Sequence, residues 1–260
     1  MVALFDSGVG GLSVWQEIRR FLPNEPMVYL ADTAHVPYGK REEAEIRRLS
    51  SQAIKLLLCY QPDLIVVACN TASTIALAHL RQVNPDIPFV GIVPALKPAA
   101  ALTKTGWIAV LATAATLKSD GYQKLKQSFA RSVTVVDQRC PEWVMLVEKG
   151  SVDNAAAEAA VRHVIDPLRR EGVDTHVLGS THFVFLRRLI ETAAGPGATL
   201  LDSGAAVAQQ VGRLLKTGQP TSPGPVEHFL CTGDPQLFSA VASRLLERPV
   251  LAEQVEFTSD

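Results

Sequence analysis

Short, wholly apolar runs alternate with longer stretches in which apolar side chains recur every three or four positions. Residues 2–5, 27–30, 64–68, 89–92, 107–111, 132–136, 175–178 and 198–201 read as strands. The run at 64–68 carries no polar alternation, as expected of a strand buried on both faces of a parallel sheet. Helical periodicity fills the intervals at 12–22, 41–58, 72–82, 116–129, 155–170, 185–194 and 205–215. Pro23 and Asn24 end the first of these helices. Such alternation predicts an α/β fold with parallel sheets. The stretch 218–225 (GQPTSPGP) reads as a loop, with one further strand at 226–230.

The strand-helix rhythm restarts at Gly106, and an internal echo accompanies the restart. Residues 61–71 (QPDLIVVACNT) resemble residues 172–182 (GVDTHVLGSTH) at a constant offset of 111. Each copy runs from an acidic residue through a strand to a small side chain able to act as a nucleophile, then a Thr near a helix start. The first strands echo as well, 3–7 beside 110–113. Two similar α/β halves facing each other are the expectation.

Composition narrows the possibilities. The chain has 260 residues, 47% hydrophobic and 20% charged, enough for a sizeable core in one or two domains. With 25 basic against 26 acidic residues, the net charge of -1 excludes a broad surface for nucleic acid. No apolar run reaches the roughly 18 residues of a membrane helix. The N-terminus lacks a basic start, and Asp6 arrives too early for a signal peptide, so a cytoplasmic location is expected. Cys59, Cys69, Cys140 and Cys231 form no C-x-x-C pair and no zinc-ligand spacing, so each is core filler or a reactive thiol.

Cys69 follows a strand and precedes a helix start, where ligands bind in parallel α/β sheets. Amides at that helix start would lower its thiol pKa. A small buried core thiol is the equal alternative. Ser180-Thr181-His182 stands in the matching place of the second half, and reads equally as a polar helix cap. The turn Asp6-Ser7-Gly8 fits neither a dinucleotide fingerprint nor a P-loop, although its glycines could present amides to a carboxylate. By itself it reads as an ordinary strand-helix turn. Tyr38 and Gly39 lie on a long polar loop beginning at Asp32, and Glu148 closes a short apolar run as either a helix-face carboxylate or a solvated one. The Arg pairs at 19–20, 47–48, 169–170 and 187–188 read as solvated helix faces.

Several segments together resemble the glutamate racemases of the aspartate/glutamate racemase superfamily. They are 5–14 (FDSGVGGLSV), 31–39 (ADTAHVPYG), 66–73 (VVACNTAS), 94–99 (PALKPA), 110–113 (VLAT), 179–182 (GSTH) and 202–204 (DSG). The resemblance implies an isomerase that interconverts L- and D-glutamate without a cofactor, supplying D-glutamate for peptidoglycan. It implies a homodimer of chains with two pseudo-symmetric α/β domains, 1–93 with 206–260 and 94–205, around an interdomain site. It maps Cys69 onto the base acting on D-glutamate. Asp6, Ser7, Tyr38, Gly39, Asn70, Thr71, Thr181 and His182 map onto substrate-contact or supporting positions, and Glu148 onto a helper carboxylate. Position 180, where the family carries its second catalytic thiol, holds Ser180.

Two bases are needed because racemisation removes the α-proton from one face and returns one to the other. A thiol of pKa ~8.5 can be tuned for that task, whereas a hydroxyl is a far weaker acid. The chain is therefore expected to be a racemase impaired by Ser180. The alternatives are a one-base relative, such as a decarboxylase or proton-exchange catalyst, and a non-catalytic amino-acid-binding protein.

Overall fold

The computed structural model describes residues 1–215 and 226–257. The expected loop at 218–225 lies outside them. Ten strands form two sheets, every pairing parallel. The first sheet contains β1 (Val2–Asp6), β2 (Met27–Ala31), β3 (Leu64–Val67), β4 (Phe89–Gly91), β9 (Glu227–Cys231) and β10 (Ala252–Gln254), in the order β10-β9-β2-β1-β3-β4. The second contains β5 (Trp107–Ala112), β6 (Thr134–Arg139), β7 (Thr175–Leu178) and β8 (Thr199–Leu201), in the order β6-β5-β7-β8. The run β2-β1-β3-β4 thus repeats as β6-β5-β7-β8, and the echo of 111 residues places β3 and β7 equivalently beside the central strands. β1, β2, β3 and β7 are buried along their whole length, as strands flanked by helices on both faces of a parallel sheet are.

Helices cover the sheets: α1 (Leu12–Phe21), α2 (Glu43–Leu58), α3 (Asn70–Val83), α4 (Leu96–Leu102), α5 (Ala114–Lys118), α6 (Asp120–Phe129), α7 (Pro141–Glu148), α8 (Ala155–Arg170), α9 (Arg187–Ala194), α10 (Gly204–Leu214) and α11 (Pro235–Leu246). The single helix expected at 116–129 is two. Ser119 has extended backbone, and its hydroxyl accepts the Tyr122 N–H at 3.3 Å, ending α5 and capping α6. Helices α4, α7 and α11 escaped the pattern for local reasons. α4 is seven residues long and contains Pro98, while α7 and α11 begin on Pro141 and Pro235. Proline is at home in a first turn, and Asp234 caps α11 by accepting the Gln236 and Leu237 amides. The expected helix at 185–194 is preceded by a 3-10 turn over Thr181–Leu186.

The chain crosses between the sheets after β4 and after β8. Ser203 Oγ donates to the Val93 carbonyl at 2.6 Å, tying the two crossings together. The Arg pairs are less uniformly solvated than expected. Arg187 is paired with Asp202, and Arg19 lies half-buried against Glu227 and the Trp15 ring. Among the described residues no helix is long and apolar enough to cross a membrane.

His176, in the middle of β7, is fully buried, and neither ring nitrogen has a hydrogen-bond partner. Burial lowers its pKa to about 4, against the opposing charge of Asp174. The unfolded chain therefore binds the proton first, near pH ~6.5. The stabilisation from neutral His176 is complete above that pH and is lost as pH falls from there through the folded value, by at most about 3 kcal/mol. The urea midpoint of the native chain should fall over that window, and His176→Leu should flatten the fall.

Candidate active site

The carboxyl ends of β1 and β3 in the first half meet those of β5 and β7 in the second. Ser7, Tyr38, Gly39, Cys69, Asn70 and Thr71 from one side, and Ser180, Thr181 and His182 from the other, line one pocket. Its free volume is about 10 Å³, room for little more than one water. An amino acid therefore requires the halves to separate. Asp6 and Glu148 lie beside this pocket, joined to its lining by hydrogen bonds.

Asp6 ends β1 and is fully buried. One oxygen accepts the Gly8 N–H at 2.8 Å, the turn bond expected of an Asp cap, and the other accepts the Thr181 hydroxyl at 3.2 Å across the cleft. Burial raises its pKa, opposed by the charge of His182. Glu148, open between two readings in sequence, is half-buried. Its Oε1 accepts the Val9 amide at 3.0 Å and His182 Nε2–H at 2.6 Å. Burial works against the charged imidazole, but the hydrogen bond and charge of Glu148 outweigh it, and the His182 pKa is raised. The glycines of the turn are steric necessities here. A Cβ on Gly8 would lie 2.0 Å from Glu148 Oε1, and one on Gly10 would lie 2.2 Å from His182 Nδ1.

Cys69 is the N-cap of α3, its sulfur accepting the Ala72 amide at 3.4 Å with Ser7 Oγ at 3.6 Å. The helix thus starts two residues earlier than the pattern suggested. The expectation of a lowered thiol pKa is overturned. Burial, seconded by the charge of Asp6, pushes Cys69 up to about 12, and the Ala72 and Ser7 hydrogen bonds recover only part of the shift. Ser180 stands at the matching N-cap position, but its hydroxyl caps nothing. The helix-cap reading fails there because a 3-10 turn follows. The Asn70 side chain is buried with both amide atoms unpartnered, so it is free for a ligand.

Tyr38 is fixed by donating to Asp32 Oδ2 at 2.6 Å, while His35 and Thr232 occupy the other oxygen of that buried carboxylate. Gly39 packs so closely that a Cβ would lie 2.6 Å from Thr113. Thr113 and Thr116 were not read as site residues. Their hydroxyls form a triangle with that of Thr71, all edges 3.0 to 3.1 Å, across the interface between the halves. The strand echo that set 110–113 beside the first strand was the available signal for Thr113. Among the described residues no group of three or more His, Cys, Asp or Glu side chains could hold a metal ion.

Cys69 and Ser180 thus line one pocket from equivalent strand ends of the two halves. The family model for Asp/Glu/hydantoin racemases matches residues 11–211. The glutamate racemase of Herpetosiphon aurantiacus is 46% identical over 244 residues, covering 92% of this chain and 95% of that protein. That of Ectopseudomonas mendocina is 43% identical over 247 residues, covering 94% of each. Among solved structures, Escherichia coli glutamate racemase in complex with L-glutamate and the activator UDP-MurNAc-Ala superposes with a TM-score of 0.87 at 34% identity, covering 99% of both chains. Isoform RacE1 of Bacillus anthracis superposes with a TM-score of 0.86 at 31% identity, covering 98% of this chain and 97% of that one. The chain belongs to the Asp/Glu/hydantoin racemase family, and within it to the glutamate racemases.

Because Glu148 holds the His182 pKa up, Glu148→Gln should make the imidazole titrate at lower pH than in the native chain. NMR titration of the His182 ring protons checks this.

Proposed function

We propose that this chain binds L- and D-glutamate between the two halves, where this pocket widens to admit it, and acts as a cofactor-independent glutamate racemase slowed by Ser180. It would work in the cytoplasm, as a homodimer, to supply D-glutamate for peptidoglycan. The observation that carries the reading is that Cys69 and Ser180 line one pocket from equivalent strands of the two halves.

In the proposed reaction Cys69 removes the α-proton of D-glutamate, and the group at 180 returns one to the opposite face. A thiol held near pKa 12 would cost about 7 kcal/mol to ionise at neutral pH. A bound amino acid brings an α-ammonium, and a cation beside the sulfur offsets much of that cost. The Asn70 amide, the Ser7 and Thr71 hydroxyls and the backbone at Gly39 supply the polar groups that orient the two carboxylates. Thr181 and Asp6 hold the substrate's charged end, and polar groups aimed at the α-carboxylate stabilise the carbanion. Glu148 keeps His182 oriented beside position 180.

D-glutamate in heavy water should then gain α-deuterium only as it inverts, and Cys69→Ala should abolish both. Ser180→Cys should raise racemisation of either enantiomer, followed by optical rotation, by about a hundredfold or more. No gain would remove the racemase reading.

A further inference from the structure

Ser180 belongs to two cavities. Besides the closed pocket, it lines a second cavity of about 210 Å³, which meets the first at Asn70, Ser180 and Thr181. The second cavity is walled by α1 and by the crossing after β8. Its lining includes Glu17, Arg20, Arg187 and Asp202. The Arg20 side chain is 71% exposed, which puts the mouth of the cavity at the protein surface. A polar space of this size holds several waters. Cys69 does not line it.

The two proton-carrying positions therefore differ in more than the element they bear. The Cys69 sulfur is tied to the Ala72 amide and faces the closed pocket. Ser180 is a buried residue, and its hydroxyl makes no hydrogen bond among the described residues. Its oxygen is not sealed off, and the cavity at its side has room for water to pair with it.

We propose that this cavity holds a chain of waters ending on the Ser180 hydroxyl, which makes position 180 the solvent-coupled proton donor of the site. This rests on the racemase reading and adds to it. As D-glutamate inverts, the Ser180 O–H bond breaks while the new C–H bond forms. The alkoxide left behind takes a proton from the nearest cavity water. The resulting hydroxide leaves along the waters to the surface, and the Cys69 thiol gives the proton it took to solvent when the site opens to release product, so that no proton is gained or lost. A hydroxyl is a stronger acid than the α-carbon, so donation runs downhill. The alkoxide cannot persist, however, and its reprotonation must take place while the pocket is closed. A thiolate at the same position can wait for the site to open.

That difference provides the test. Val184 and Gln16 line the cavity from opposite elements, and neither lines the substrate pocket. Val184→Trp and Gln16→Trp should each slow inversion of D-glutamate by the native chain at least tenfold, with the glutamate Kd from calorimetry within twofold. In the Ser180→Cys background the same blocks should cost less than threefold, and Ser180→Ala should invert more slowly than the native chain. Unchanged inversion in both blocked variants, equal losses in both backgrounds, or a native chain no faster than Ser180→Ala would overturn the proposal. Gain of racemisation on Ser180→Cys without any effect of the blocks would overturn it while leaving the racemase reading in place.

Discussion

Glu148 is the contact on which the meeting of the two halves depends. A carboxylate largely withdrawn from water needs donors in place of the water it loses, and here Oε1 finds two of them. Glu148 reaches from the end of α7 in the second half to the Val9 amide in the first, and on the way receives His182. Nothing bulkier than hydrogen fits at Gly8 or Gly10 once that carboxylate and imidazole are in place. The Thr181–Asp6 bond adds a second polar tie across the same seam. These ties bring the ends of β1 and β7 together, and with them the side chains at 69 and 180 into the lining of one pocket.

Electrostatics within the seam are shared out unequally. Asp6 sits close enough to Cys69 to raise the thiol pKa, and close enough to His182 to be partly neutralised by it. In the empty, closed site the thiol is thus held protonated by burial and by its carboxylate neighbour. In the proposed reaction a zwitterionic ligand would reverse that balance, because it brings a cation as well as the carboxylates that the polar side chains would receive. The ligand itself would then arm the thiol, which keeps a reactive thiolate from persisting in the empty protein.

The sequence made the alternation and the repeat legible, because both follow from burial of regular elements. The apolar run at β3 and its 111-residue echo at β7 were enough to place residues 69 and 180 at equivalent strand ends. What stayed hidden depends on contacts between distant parts of the chain. The thiol pKa was misread from the helix start alone, since the burial and the Asp6 charge that dominate it come from packing. Glu148 was ambiguous because its partners lie 139 and 34 residues away. The break at Ser119 was local, yet a serine inside a helical pattern becomes a cap only where tertiary packing rewards the turn, here where α6 runs so close to α3 that Gly121 has no room for a Cβ beside the Thr74 carbonyl.

Thermodynamics limits what a weak acid on one face can do. The enantiomers of glutamate have equal free energies in water, so kcat/KM must be the same in both directions for any catalyst of their interconversion. A hydroxyl at 180 therefore cannot make the enzyme one-directional. The highest barrier, wherever it lies, slows both directions alike. What a hydroxyl can change is the partition of the carbanion. In the proposed reaction, return of the proton by Cys69 would retrace a path of ordinary height, whereas passage to the other face would depend on how quickly an alkoxide is relieved of its charge. The consequence of oxygen in place of sulfur would then be set less by the reacting carbon than by the water proposed at the back of residue 180.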